Sequence, residues 1–206
     1  IYDVTDEEVR LEIEDALSMF ESCTSLTSVT LGNNQTPKLL SMERMFNKCT
    51  SLVNIDFGGL TTENLFSLAA TFSDCTAIET LDIGNWNVEK LEALSATFRR
   101  CSKLKNLDLS KWNCKSLIYL SGTFNNCANL TELDISKWDT SNVNTLAQCF
   151  YGCSKLTSLD LSGWTISQEC DFGYMFGNCT SLSLLNLNKL TLKFPSLLNT
   201  DLKFFL

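Results

Sequence analysis

The chain has 206 residues, and its 24 Asp and Glu against 16 Lys and Arg give a formal net charge of -8. This acidic balance opposes docking to phosphate backbones or anionic lipid, so we expect no nucleic-acid partner. The chain has no histidine, the commonest general base, and no Gly-x-Ser-x-Gly motif. We therefore expect no enzyme, no catalytic residues and no cofactor. No apolar run approaches the roughly 18 residues of a membrane-spanning helix, so we expect no membrane insertion by this segment.

A 26-residue repeat organises residues 13–192 of the chain. Residues 1–12, rich in Asp and Glu, precede the array and are predicted to form an N-terminal cap. Residues 13–192 hold the repeats, and 193–206 are predicted to form a C-terminal cap or a truncated repeat. The 1–206 chain is thus expected to be one domain. Phenylalanine recurs at one position of the unit, each time followed three residues later by cysteine, as Phe20, Phe46, Phe72, Phe98, Phe124, Phe150 and Phe176. A fixed period of this length is the signature of a solenoid.

Each unit has two halves with different apolar periods. Leu133 and Ile135 alternate with polar residues, as in a short strand, whereas apolar residues at i, i+3, i+7 and i+10 from Val143 to Cys153 form a helical stripe. The pattern predicts an α/β fold, a right-handed solenoid of about seven units with a parallel sheet on its concave face and short helices outside. The strand half reads Leu-x-x-Leu-x-Leu, the strand core of a leucine-rich repeat.

Cysteine and tryptophan occupy two further fixed positions of the unit. Seven of the ten cysteines share one column, from Cys23 to Cys179, and we expect them to be buried free thiols. Disulfides between neighbouring coils are the alternative. No metal site is expected, because the chain has neither histidine nor a Cys-x-x-Cys pair. The tryptophans, Trp86, Trp112, Trp138 and Trp164, follow an inward strand leucine by three residues, which favours a core stack over an exposed sugar-binding surface.

Aspartate recurs between the last two strand leucines. On a parallel stack these side chains line up one strand spacing apart, and two unit charges about 5 Å apart repel by roughly 0.8 kcal/mol even in water. We expect local hydrogen bonds to turn amides or to the serine two residues later, with a cation or a basic ligand as the alternative. The column is Asp56, Asp82, Asp108, Asp134 and Asp160, flanked by Thr30 and Asn186. We call it the Asp ladder.

Strand positions beside the Asp ladder vary between units while the framework stays constant. Glu79, Lys105 and Glu132 are such positions, and neutral drift would give the same variation. A concave sheet suits a macromolecule better than a small substrate. The sequence therefore predicts a mixed-charge partner site made of Glu79, Lys105, Glu132 and the Asp ladder, which favours a basic partner.

The pattern Phe-x-x-Cys-Ser-x-Leu-Thr-x-Leu-Asp-Leu-Ser-x-Trp-Asp-Thr-Ser-Asn-Val is nearly verbatim across Phe150–Trp164 and Asp134–Val143. It resembles the 26-residue bacterial surface-protein repeat of BspA-like leucine-rich-repeat proteins over residues 13–192. The resemblance implies an extracellular or cell-surface protein that binds a host or microbial protein or glycan and supplies no catalytic motif. We expect a monomeric binding or adhesion module, with a passive structural spacer as the alternative.

Overall fold

The computed structural model describes residues 13–33, 35–167, 170–189 and 191–193. It has six strands of three residues each, which pair in parallel as β1 with β2, β3 with β5 and β4 with β6. Paired residues are 26 positions apart in all three cases, as in Ser28 opposite Asn54. The strands are β1 Ser28–Thr30, β2 Asn54–Asp56, β3 Ser158–Asp160, β4 Thr165–Ser167, β5 Leu184–Asn186 and β6 Thr191–Lys193. The predicted caps, 1–12 and 193–206, lie outside the described residues, except for Lys193 at the end of β6.

A second side of the coil carries the longest continuous ladder. Isolated parallel bridges join Asp15, Ser41, Ser67, Ala93, Tyr119, Thr145 and Asp171, each 26 residues after the last. The chain therefore winds as a repeat solenoid whose coils stack in one register.

The structure corrects the prediction of short helices outside the sheet. The described residues contain no helix, and the segment from Val143 to Cys153 has a bridge at Thr145 followed by tight turns over 147–152. Alternate amides there point along the stack, as when the Phe150 N–H donates to the Met175 carbonyl at 2.9 Å. A helix would use these donors within its own turns. Turns of four residues bury positions at the same intervals as a helix, which explains the misleading period.

Residues in the left-handed region close these turns. In each coil two positions four residues apart have positive φ, for example Ala96 at 56° and Arg100 at 58°. The Thr97 N–H donates to the Leu94 carbonyl and the Cys101 N–H to the Phe98 carbonyl, so each positive φ falls at the third residue of a β-turn. That position favours glycine, and Gly122 and Gly152 occupy it in later coils. The other coils accept strain at non-glycine residues.

Stacked phenylalanines form the centre of the core. The rings of Phe20 to Phe176 follow one another with centroids 5.4–5.8 Å apart and planes within 10° of parallel. Trp112, Trp138 and Trp164 are fully buried beside them, which confirms the predicted core position, whereas Trp86 is only half-buried.

Side-chain donors in the core reach the coil before them. The Cys101 thiol donates to the Phe72 carbonyl at 3.1 Å and the Trp112 indole N–H to the Ile83 carbonyl at 2.9 Å, both 29 residues back. The Thr97 hydroxyl makes the same 29-residue contact, to the Leu68 carbonyl at 2.9 Å. Among the described residues, the Trp138 indole nitrogen is a buried donor without such a partner. These bonds satisfy side-chain donors that a dry interior would otherwise leave unpaired, and each adds a second hydrogen bond to a carbonyl that already accepts an amide of its own coil.

All ten cysteines are free thiols in the structure, and those of the column from Cys49 to Cys153 are buried. Burial raises the pKa of each of these five thiols. The prediction that the whole column is buried is wrong at its ends, because Cys23 is exposed and Cys179 is half-buried. No described coil precedes Cys23 to cover it.

Replacing Ala96 by glycine should stabilise the protein or leave it unchanged, because the left-handed conformation costs a non-glycine residue about 1 kcal/mol. Glycine avoids this cost in the folded state. It also raises the conformational entropy of the unfolded chain, which offsets part of the gain. Ala93→Gly is the matched control: Ala93 is also half-buried but lies on the bridge ladder, outside the left-handed region. We expect Ala93→Gly to destabilise by about 0.5–1 kcal/mol in urea unfolding. Equal destabilisation by both substitutions would contradict the assigned strain.

Native protein treated with a thiol-reactive dye should label Cys23 rapidly, Cys179 slowly and the five buried column cysteines only after denaturant is added. The reason is that the thiolate is the reactive form and burial suppresses it. Peptide mapping by mass spectrometry identifies the labelled sites, and Cys23→Ser should abolish the fast phase. Fast native labelling of Cys101 or Cys127 would show that the column is accessible.

Candidate functional site

The Asp ladder is exposed on the strand side of the coil, and four of its members accept hydrogen bonds from their own turns: Asp56, Asp108, Asp134 and Asp160. Asp134 Oδ1 accepts the Ser136 amide at 3.2 Å and the Ser136 hydroxyl at 2.8 Å. Asp56 accepts the Gly58 amide at 2.9 Å. These contacts confirm the predicted local hydrogen bonding at those positions.

The same local bonds affect the acidity of two ladder members. The Ser110 hydroxyl, followed by its amide, lowers the pKa of Asp108. The Ser162 amide, followed by its hydroxyl, does the same to the pKa of Asp160. Both carboxylates therefore stay charged at neutral pH.

On this side, strands pair where an Asp of the ladder stands opposite an uncharged residue. β1 pairs with β2 where Thr30 stands opposite Asp56, and β3 pairs with β5 where Asp160 stands opposite Asn186. Between Asp56 and Asp160, each Asp of the ladder stands opposite another Asp one coil away. This part of the chain is fully described, and on this side it has one isolated bridge and no paired strands. Like charges directly opposite destabilise a pair of strands. We attribute the open pairing in the middle coils to this repulsion.

A shallow groove of about 670 Å³ extends from the open coils onto the paired strands β3 and β5. Leu107, Leu133 and Leu159 line its floor, and carboxylates stand around it, from Asp108, Glu132, Asp134 and Asp160. The lining residues include no Lys or Arg. A smaller hollow of about 340 Å³ next to Trp86 holds Asp56 and Asp82. We call the larger one the strand groove.

The structure places the predicted partner site in three parts. Four of its residues line the strand groove, and Asp56 and Asp82 line the smaller hollow. Glu79 and Lys105 lie outside both and form an exposed ion pair, with Oε2 2.8 Å from Nζ. This pairing lowers the pKa of Glu79, through the hydrogen bond from Lys105. Because Lys105 is paired with Glu79, it does not offer an unpaired positive charge to a partner.

The predicted mixed-charge site did not include the neutral side chains of the strand groove. Ser158 and Asn186 line it, and Leu184, at one end, leaves 63% of its surface exposed. Leu184 was identifiable as the one large apolar residue in the variable column that holds Glu132 and Ser158.

The 26-residue register, the stacked core and the parallel ladders define a repeat solenoid. The chain belongs to the family described as "Mycoplasma protein of unknown function, DUF285", whose model matches residues 14–132 and 92–192. No curated protein matches the chain in sequence.

Two solved structures resemble the chain. The structure of the TLR13–ssRNA13 complex is similar with 21% identity and a TM-score of 0.41, over 89% of this chain and 23% of that chain. A leucine rich cell surface protein from Faecalibacterium prausnitzii A2-165 is similar with 18% identity and a TM-score of 0.34, over 82% of this chain and 62% of that chain. The chain thus spans less than two thirds of either protein's length.

The described residues include no helix long and apolar enough to cross a membrane. They also include no group of three or more Cys, Asp or Glu placed to hold a metal ion.

Replacing Asp134 by asparagine should raise the melting temperature by about 1–2 °C, because it removes one charge from two like-charged intervals. Asparagine can still accept the turn amide, as Asn186 accepts the Asn188 amide at 3.0 Å. The gain should shrink as salt rises, since exposed charges are screened. Glu63→Gln, an equal change at an exposed position away from the ladder, is the control. If Asp134→Asn lowers stability, ladder repulsion does not set the pairing.

Proposed function

We propose that this chain is the non-enzymatic binding module of a cell-surface or secreted protein, and that it holds a basic protein segment in the strand groove. The observation that carries the proposal is the lining of the groove. Four carboxylates surround a floor of leucines, and no Lys or Arg lines the groove. A protein segment with Lys or Arg side chains complements this charge, and the exposed Leu184 offers an apolar contact at the end of the groove.

The open strand pairing also favours an extended partner. On this side the middle coils form few hydrogen bonds with one another, which leaves backbone groups as well as side chains for an extended peptide. In the middle coils the carboxylates keep the strands from pairing with each other. A basic residue placed between two of them would offset their repulsion.

The proposed surface location comes from the resemblance of the repeat to bacterial surface-protein repeats. The Phe, Cys, Leu and Trp columns that carry this resemblance are also those that build the core. The resemblance therefore supports the architecture directly, and surface display follows as part of the proposal.

The proposal predicts micromolar binding of Lys- and Arg-rich peptides by the wild-type chain, measured by fluorescence anisotropy, with affinity falling as salt rises. Glu132→Gln combined with Asp134→Asn removes two carboxylates from the groove and should weaken binding about tenfold or more. Glu63→Gln combined with Glu92→Gln removes the same charge elsewhere, so that variant should bind like wild type.

Equal weakening by the two double variants would show a nonspecific response to net charge and reject the groove. Absence of binding to any basic peptide would favour the passive spacer. Scrambled peptides of identical composition distinguish recognition of a sequence from attraction to charge alone.

A further inference from the structure

The turns of the last described coils carry a set of side chains that differs from the earlier ones. In the earlier coils the exposed turn columns carry charges, as at Arg44, Lys48, Asp74 and Arg100. In the later coils the same columns carry only amides, tyrosines and glycines. The uncharged residues, which we call the turn patch, are Asn125, Asn126, Gln148, Tyr151, Tyr174 and Asn178, of which Asn125 is buried.

Backbone hydrogen bonds hold the three turns of the patch side by side. The Asn126 N–H donates to the Tyr151 carbonyl at 2.6 Å, and the Gln148 N–H donates to the Gly173 carbonyl at 2.9 Å. The Phe rings beneath are 5.6 Å and 5.4 Å apart. The patch is therefore one continuous surface across three coils.

Side-chain hydrogen bonds also link the patch from turn to turn. Asn126 Nδ2 donates to Asn125 Oδ1 at 2.6 Å, and Asn125 Nδ2 donates to Gln148 Oε1 at 3.1 Å. Asn178 Nδ2 donates to the Tyr151 hydroxyl oxygen at 2.7 Å, which leaves the hydroxyl proton available to another acceptor. The amides are held in place before any ligand arrives.

Glycines make room for these side chains. A Cβ on Gly152 would lie 2.4 Å from Asn126 Oδ1, and one on Gly177 would lie 2.8 Å from the Tyr151 ring. Both side chains therefore lie flat against the backbone of the next coil. The Tyr151 ring covers the turn that begins at Tyr174, whose carbonyl accepts the Gly177 amide.

Tyr174 contributes little to the stability of the fold. It has a φ of 55° and leaves 67% of its surface exposed. A bulky residue in the left-handed region is strained, and exposure on this scale gives little packing in return. Glycine would suit the position better, as at Gly122 in the same column.

We propose that the turn patch binds a neutral glycan. A pyranose ring presents an apolar C–H face and a rim of hydroxyls that both donate and accept hydrogen bonds. An exposed tyrosine ring matches the face, and amide groups, each with donors and an acceptor, match the hydroxyls. A surface without ionised side chains suits an uncharged ligand. This site lies on a different side of the coil from the strand groove and does not depend on it.

The test is an array of neutral oligosaccharides containing galactose, mannose, glucose or N-acetylglucosamine, printed beside sialylated and sulfated glycans. Wild type should bind one or more neutral glycans, and binding should persist at high salt, unlike binding in the strand groove. Tyr174→Ala should weaken it at least about tenfold, whereas Tyr174→Phe, which keeps the ring, should retain it. Gln148→Ala should also weaken binding.

Tyr119→Ala is the matched control, since Tyr119 is 44% exposed but belongs to the bridge ladder. Unchanged melting curves establish that the variants are folded. The proposal is overturned if no glycan binds, if only sialylated or sulfated glycans bind, or if Tyr119→Ala and Tyr174→Ala weaken binding equally. It is also overturned if the turn-patch variants instead lose binding to the basic peptides.

Discussion

Hydrogen bonds between successive coils hold the rest of this structure in place. In the turn segments alternate amides donate to the carbonyls of the following coil, as from Phe98 to Thr123 and from Phe124 to Cys149. The remaining amides close the turns of their own coil. This division of donors excludes a helix and stacks the phenylalanine rings face to face. It also brings the thiol, hydroxyl and indole columns within reach of carbonyls in the coil before.

The core was predictable from the sequence because its columns never shift phase. Phe46 and Phe72 share one environment, so the period alone predicts that both rings are inward, and the structure buries both. Local bonding of the Asp ladder was also predictable, because an aspartate two residues before a serine can accept that residue's amide and hydroxyl. Both predictions rest on contacts within one unit or between equivalent positions.

Other features depend on geometry that a pattern does not carry. Apolar positions at i, i+3 and i+7 fit a helix as well as a series of four-residue turns, so the period could not decide between them. Ala70 and Ala96 give no sign in the sequence that they adopt positive φ. The strand groove depends on which strands fail to pair, and the turn patch becomes one surface only when three turns stack. Sequence reasoning therefore predicted the Asp ladder but neither the shape of the groove nor the patch.

The constant separation of the core contacts limits how such a chain can change length. A thiol or indole that reaches 29 residues back meets its carbonyl only if the intervening chain keeps its count. One residue added between them would displace every contact that spans the insertion, whereas contacts lying wholly before or after it would keep their spacing of 29 residues. A whole coil added or removed leaves each remaining contact with an equivalent one. Duplication or loss of complete units is therefore the route by which evolution, or an engineer, can lengthen or shorten this protein while preserving its core.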